Sequence, residues 1–173
     1  MDKTILNINN IEFTIYSNYS VFGDGSHEST ASILNVMSKI DLAGKKVLDI
    51  GTGTGILSAF AALSGAEVMA VDISPAAMEF ARKNFETNDV EVDLRLNDLT
   101  QDINERFDVI VANLAPAPQV ENMKTVKQYL TENGILVISW INHLDLKHHA
   151  PQFDVIRHIV NKEYDVYELK LTK

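Results

Sequence analysis

The run Val47-Leu48-Asp49-Ile50-Gly51-Thr52-Gly53-Thr54-Gly55-Ile56-Leu57 sets an acid and three alternate glycines at the end of an apolar segment. Residues without Cβ at a sharp strand-to-helix turn let backbone N–H groups approach a ligand closely, so the spacing reads as a nucleotide-type cofactor site. The plainer alternative is a tight turn that happens to use glycine. A second acid, Asp72, closes the apolar segment Glu67-Val68-Met69-Ala70-Val71 and is followed by Ile73. It stands where a carboxylate can accept both hydroxyls of a ribose. The dinucleotide fingerprint fails, because its third glycine falls on Ile56. A carboxylate at Asp49 would repel a diphosphate and suits a cationic ligand, since opposite charges a few ångströms apart attract.

These residues need strands and helices to hold them. Apolar strands are expected at Lys46–Ile50, Glu67–Ile73, Glu91–Leu96, Phe107–Ala112 and Ile135–Trp140, separated by helices near 55–64, 75–87 and 119–131. That alternation predicts a parallel sheet with helices on both faces. Asp154–Val160 and Tyr164–Leu171 alternate apolar and polar residues and form an antiparallel closing pair, giving seven strands. Lys3–Ile8 and Ile11–Tyr16 flank Asn9-Asn10, a dipeptide that tolerates positive φ, and read as a hairpin. A Gly/Ser-rich loop, Ser20–Thr30, leads into a helix through Ile33, Leu34, Met37 and Ile40 that ends near Gly44. The expected organisation is a hairpin extension over 1–20 and a single domain over 21–173.

Composition narrows the partners. The 173 residues are 46% apolar, enough for one core, and 15 Lys plus Arg against 24 Asp plus Glu give a formal charge of -9. That balance argues against nucleic acid held by its phosphates. The absence of cysteine excludes disulfides and thiolate chemistry. The first residues are too polar for a signal peptide and no run of about 18 apolar residues exists, so a cytoplasmic protein without a membrane segment is expected. His148-His149 do not suggest a metal site, because adjacent side chains point apart and only Asp145 lies near them. Trp140 reads as a core residue more readily than as a pocket wall.

The motif order resembles the class I S-adenosylmethionine-dependent methyltransferases, with a Rossmann-like fold. The resemblance rests on the glycine motif, the acid Asp72, Asn97-Asp98 after the third strand and Asn113-Leu114-Ala115-Pro116 after the fourth, over residues 31 to 141. It implies S-adenosyl-L-methionine as cofactor and S-adenosyl-L-homocysteine as product. The backbone around Asp49, Gly51, Thr52, Gly53 and Gly55 would line the methionine part, Asp72 with Ile73 the ribose, and Asp98 the adenine amino group. Asp98 could equally be a solvated turn or capping residue. Val21-Phe22-Gly23-Asp24-Gly25-Ser26-His27-Glu28-Ser29-Thr30 resembles the A-F-G-T-G-x-H-x-T-T signature of the PrmA-type ribosomal-protein methyltransferases, and Asn113-Leu114-Ala115 agrees with their Asn-Ile-Leu-Ala. Asp24 and Ser29 each replace a Thr of that pattern, and Pro116 and Pro118 follow the Asn-Leu-Ala. The family carries a substrate-recognition domain ahead of the signature, where this chain has 20 residues. A subunit whose partner supplies recognition, or a homodimer through the hairpin's exposed edge, therefore stays open.

The resemblance implies methyl transfer from a sulfonium, which needs an in-line nucleophile, and positioning alone can supply roughly 7–11 kcal/mol. A protein or small-molecule amine is the expected acceptor. With a pKa near 10.4, a lysine is neutral in only about one molecule in a few thousand at pH 7, so its proton must go somewhere. His27 is the candidate base, or else a structural hydrogen-bonder of the loop. Asn113, or the carbonyls beside it, would orient the incoming nitrogen, or Asn113 is simply a turn residue. Thr30 would hold the methionine carboxylate or cap the helix that follows. Leu114, Ala115 and Pro116 offer no ring to stack on a planar base, which disfavours a nucleobase acceptor. The alternatives are a small-molecule methyltransferase and a non-catalytic cofactor-binding sensor or subunit.

Overall fold

The computed structural model describes residues 1–97 and 103–172. Asp98 lies outside the described residues. The chain opens with a hairpin of β1 (Asp2–Ile8) and β2 (Ile11–Ser17), turned through Asn9 and Asn10 at φ 50° and 65°. Asparagine tolerates this left-handed backbone, and two such residues in sequence match the right-handed twist of the strands they join. The hairpin is a separate sheet. Its outer edge is covered on the β2 side by α3 (Pro75–Thr87) and the residue after it. Asn84 and Asn88 stand one helical turn apart and bond to both the N–H and the C=O of Tyr16 and Thr14, as a neighbouring strand would.

The main sheet has seven strands. β3 (Lys46–Ile50), β4 (Glu67–Asp72), β5 (Asp93–Leu96), β6 (Phe107–Ala112) and β7 (Leu130–Ile141) are parallel, and β8 (Phe153–Ile159) and β9 (Tyr164–Leu171) complete the order β5-β4-β3-β6-β7-β9-β8 with β9 antiparallel to both neighbours. This is the class I methyltransferase fold expected from the sequence. Successive residues of β3 feed opposite faces, Val47 into one core and Leu48 into the other, so both faces must be covered. α1 (Glu28–Met37), α2 (Ile56–Leu63) and α3 cover one face together with Phe13 and Ile15 of the hairpin. α4 (Pro116–Thr125), a 3₁₀ turn at Val126–Tyr129 and the short α5 (Leu146–His149) lie over the other, around Trp140. Trp140 is 1% exposed and its indole N–H donates to the Leu144 carbonyl, which makes it core.

Several boundaries differ from the sequence reading. α1 stops at Met37, where Ser38 caps it, and Ile40 belongs to the turn that follows. α4 begins at Pro116 because a proline at the first helical position gives up an N–H that has no partner there anyway. β7 begins at Leu130, ahead of the expected start at Ile135, and residues 132–134 form a bulge, since Leu130 pairs with Phe107 and Ile135 with Val109. Chain order leaves β3 toward β5 on one side and toward β6 on the other. The sheet therefore has its switch point between β3 and β6, where ligands of open α/β sheets bind.

Candidate functional site

A cavity of about 670 Å³ opens at this switch point. Its near wall is the glycine turn after β3. Gly51 and Gly53 have φ of 71° and 56°, and a Cβ on either would run into Leu114 or the Phe22 carbonyl oxygen, so only glycine fits. Gly51 and Thr52 donate their N–H groups to the Val71 carbonyl at 2.9 and 3.0 Å, which anchors the turn to β4. Asp72 ends β4 on the cavity wall. One of its carboxylate oxygens accepts from Gly53 N at 2.9 Å and the other from Ser74 N at 2.9 Å, leaving lone pairs on both for a ligand.

Asp49 sits beneath the turn and does not border the cavity. It has no exposed surface, and its Oδ2 accepts from Thr52 Oγ1 at 2.7 Å and Ser58 Oγ at 2.6 Å. Its Oδ1 has no hydrogen-bond partner among the described residues. Burial pushes the carboxyl up to about 6, against the two hydroxyls that lower it and with a further rise from Asp72. Thr52 and Gly55 are also behind the wall, with Gly55 packed on the Phe85 ring.

The far wall comes from three separated segments. The loop before α1 is clamped onto the glycine turn, because Thr54 N donates to the Phe22 carbonyl at 3.0 Å and Thr54 Oγ1 donates to the Gly23 carbonyl. Within this loop the Ser26 backbone N–H, then its hydroxyl, hold the Asp24 carboxyl below its ordinary value. His27 occupies the N-cap position of α1, with its Nδ1 3.3 Å from the Ser29 amide, and lies edge-on to Phe22 and Tyr164, with ring centroids 5.2 and 5.9 Å away. Asn113, at the end of β6, reaches both residues that follow: Ser29 Oγ donates to its Oδ1 at 2.9 Å, and its Nδ2 donates to Thr30 Oγ1 at 2.9 Å. Thr30 is 1% exposed and does not border the cavity.

Of the residues expected from the sequence, His27, Gly51, Gly53, Asp72, Ile73 and Asn113 meet around one cavity, whereas Thr30, Asp49, Thr52 and Gly55 support it from behind. Sequence reading missed Phe22, Ser29, Tyr164 and the α4 residues Glu121 and Asn122, which also line it. Ser29 and Phe22 belong to the quoted signature and were within reach. Tyr164 and Glu121 carry no local signal, because only the fold brings them here. Among the described lining residues there is no Lys or Arg, while Asp72 and Glu121 are acids, so the cavity suits a cationic ligand better than a diphosphate.

A family model of ribosomal protein L11 methyltransferases (PrmA) matches residues 20–165. The ribosomal protein L11 methyltransferase of Dictyoglomus turgidum is 43% identical over 121 residues, covering 69% of this chain and 40% of the relative. That of Caldicellulosiruptor saccharolyticus is 38% identical over 152 residues, 86% of this chain and 48% of the relative. The chain thus spans about half the length of the curated relatives it matches. The crystal structure of a ribosomal protein L11 methylase from Lactobacillus delbrueckii subsp. bulgaricus superimposes with a TM-score of 0.81 at 26% identity, over 88% of this chain and 82% of that one. A T. thermophilus 16S rRNA N2 G1207 methyltransferase in complex with AdoMet and guanosine shares the fold at 20% identity, TM-score 0.83, over 99% of this chain and 50% of that one. Among the described residues no helix is long and apolar enough to cross a membrane.

Proposed function

The chain belongs to the ribosomal protein L11 methyltransferase (PrmA) family, and from that premise we propose that it is an S-adenosylmethionine-dependent methyltransferase acting on an amine of a ribosomal protein. The observation that carries the proposal is the cavity at the switch point, with the Gly51–Gly53 backbone and the Asp72 carboxylate on one wall and Asn113 on the other. The donor set fits this cofactor: two backbone positions without Cβ, one carboxylate placed for a diol and, among the described lining residues, no Lys or Arg. The buried Asp49 carboxylate, with one oxygen unpartnered, adds negative potential beneath the turn, which favours a ligand bearing an ammonium and a sulfonium.

Bound there, S-adenosylmethionine supplies a methyl group on a sulfonium, open to in-line displacement. The chain's own residues do the rest by positioning. Asn113 and the carbonyls that follow orient the amine. His27 takes a proton from the incoming ammonium, so that the nitrogen keeps the electron pair the transfer consumes. The loop before α1, pinned through Phe22 and Gly23 to the glycine turn, keeps water out of the reacting space. The net charge of -9 supports a basic protein as acceptor over a nucleic acid.

Calorimetric titration of wild type and Asp72→Ala with S-adenosylmethionine and S-adenosylhomocysteine tests the cofactor site, and labelled methyl transfer to purified ribosomal protein L11 tests the acceptor. Binding that Asp72→Ala weakens by more than tenfold, with label on L11, is expected. Binding with label only on small amines would move the reading to a small-molecule enzyme. Binding without turnover on any acceptor would make the chain a cofactor-holding subunit, and no binding by wild type would overturn the proposal.

A further inference from the structure

His27, Ser29, Asn113 and Thr30 form one continuous chain of polar contacts along the far wall of the cavity. His27 Nδ1 lies 2.7 Å from Ser29 Oγ, Ser29 Oγ lies 2.9 Å from Asn113 Oδ1, and Asn113 Nδ2 lies 2.9 Å from Thr30 Oγ1. A serine hydroxyl has a single proton. With the Asn113 amide nitrogen facing Thr30, its oxygen faces Ser29, and that proton is committed to Asn113. The contact between Ser29 Oγ and His27 Nδ1 then closes only if the imidazole supplies the proton. The Ser29 amide also faces Nδ1, at 3.3 Å, and needs a bare nitrogen, so the longer contact loses to the shorter one.

We infer that Ser29 is a positioning residue that fixes neutral His27 as the Nδ1–H tautomer, which leaves the lone pair on Nε2. Nε2 has no partner among the described residues, and the ring borders the cavity between Phe22 and Tyr164. The same hydroxyl sets the orientation of Asn113, so one side chain aligns the proton acceptor and the group that holds the amine. The proton balance is simple. An N–H bond of the substrate ammonium breaks, the amine keeps the electron pair, and Nε2 becomes N–H in an imidazolium whose two protons then serve Ser29 and the solvent side. Ser29 stands where the family signature has threonine, and both carry the hydroxyl the chain requires. The tautomer follows from the contacts alone, whereas its use as a base rests on the methyltransferase reading.

The test is heteronuclear NMR of the full chain labelled with ¹⁵N histidine, at a pH high enough to keep the imidazole neutral. The bare ring nitrogen resonates far downfield of the protonated one, so the tautomer is read directly. Wild type and Ser29→Thr are expected to show Nδ1–H with a bare Nε2. Asn113→Ala releases the Ser29 proton toward His27 and should move the ring to Nε2–H; Ser29→Ala removes the acceptor and should do the same. A wild-type ring already in the Nε2–H form means that the chain runs in the opposite direction, from Thr30 to His27, and overturns the inference. So does an Asn113→Ala protein that keeps Nδ1–H. Titration of the same samples with S-adenosylhomocysteine reports separately on the cofactor reading, whose failure leaves the tautomer result standing.

Discussion

Around the glycine turn the contacts that build the site join residues close in sequence: Thr52 and Ser58 reach Asp49 across 3 and 9 positions, and Gly53 reaches Asp72 across 19. On the far wall, Ser29 and Thr30 reach Asn113 over 84 and 83 positions. The near half is a local device, in which spacing along the chain sets backbone geometry and buried polar pairing together. The far half exists only after the sheet has formed, because its members come from α1, the end of β6 and the start of β9. Substitutions on the two sides should therefore fail differently. A change in the near half should disturb the backbone and the fold, and a change in the far half should loosen the loop before α1 while leaving the turn in place.

The largest effect is expected at Gly53. Alanine there must hold φ at 56° and also push against the Phe22 carbonyl, which is fixed by its bond from Thr54 N. Strain and overpacking together should lower stability by about 3–4 kcal/mol and abolish S-adenosylhomocysteine binding. Gly44 is the control, with φ 68° and no atom within 4 Å of where a Cβ would stand, so Gly44→Ala carries strain alone, about 1 kcal/mol. Urea unfolding of both variants measures the difference. Equal losses would mean that the near half is no tighter than an ordinary surface turn.

Next comes the pH dependence of Asp49. A carboxyl raised from 3.8 to about 6 by burial binds its proton more tightly in the folded state than in the unfolded one. Its contribution to stability is fully present below about 3.8 and is lost as pH rises through about 6, an effect of about 3 kcal/mol. Asp49→Asn removes the titrating group, so its stability relative to wild type should rise between pH 4 and pH 7.5 by that order. Unfolding curves that shift in parallel for the two proteins across this window would show that the carboxylate beneath the turn is better solvated than its burial implies.

A smaller effect is expected from the far half. Asn113→Ala leaves the Ser29 hydroxyl and Thr30 without their partner from β6, at a cost of about 1–3 kcal/mol. Hydrogen exchange should show the loss locally, with faster exchange at Ser26–Ala31 and unchanged protection at Gly55–Phe60. Loss of protection in both segments would join the two halves into a single cooperative unit.

The same contrast explains what could be read from the sequence. The strands, their succession along the chain, the hairpin turn and the glycine motif are local patterns, and they were legible because apolar runs, Asn-Asn and alternate glycines each have a short-range physical meaning. Asp72 was legible because its distance from the glycines is fixed by one βαβ unit. That Asp49 and Thr52 lie behind the wall was not legible, since a motif does not say which face its side chains take. Tyr164 and Glu121 were invisible, because nothing beside them in the chain marks a site. The start of β7 at Leu130 was not legible, because Asn133 and Gly134 signal a turn whether or not the strand resumes its pairing.

The weakest tie in the far half tests the contrast at its other limit. Glu28 Oε1 lies 3.6 Å from Lys162 Nζ, and its Oε2 accepts from Lys162 N at 3.2 Å, which joins the first turn of α1 to the β8–β9 connection just before Tyr164. The two side chains are 48% and 88% exposed, so water and salt screen the attraction. Glu28→Gln keeps an oxygen for the backbone N–H and removes only the charge. It should cost less than about 0.5 kcal/mol, and the difference should vanish at high salt. Chemical denaturation at low and high ionic strength reads both. A loss well above about 1 kcal/mol that persists at high salt would mean the far half is held as firmly as the glycine turn, and the division between a locally encoded half and a fold-assembled half would fail at the rim where it should be easiest to see.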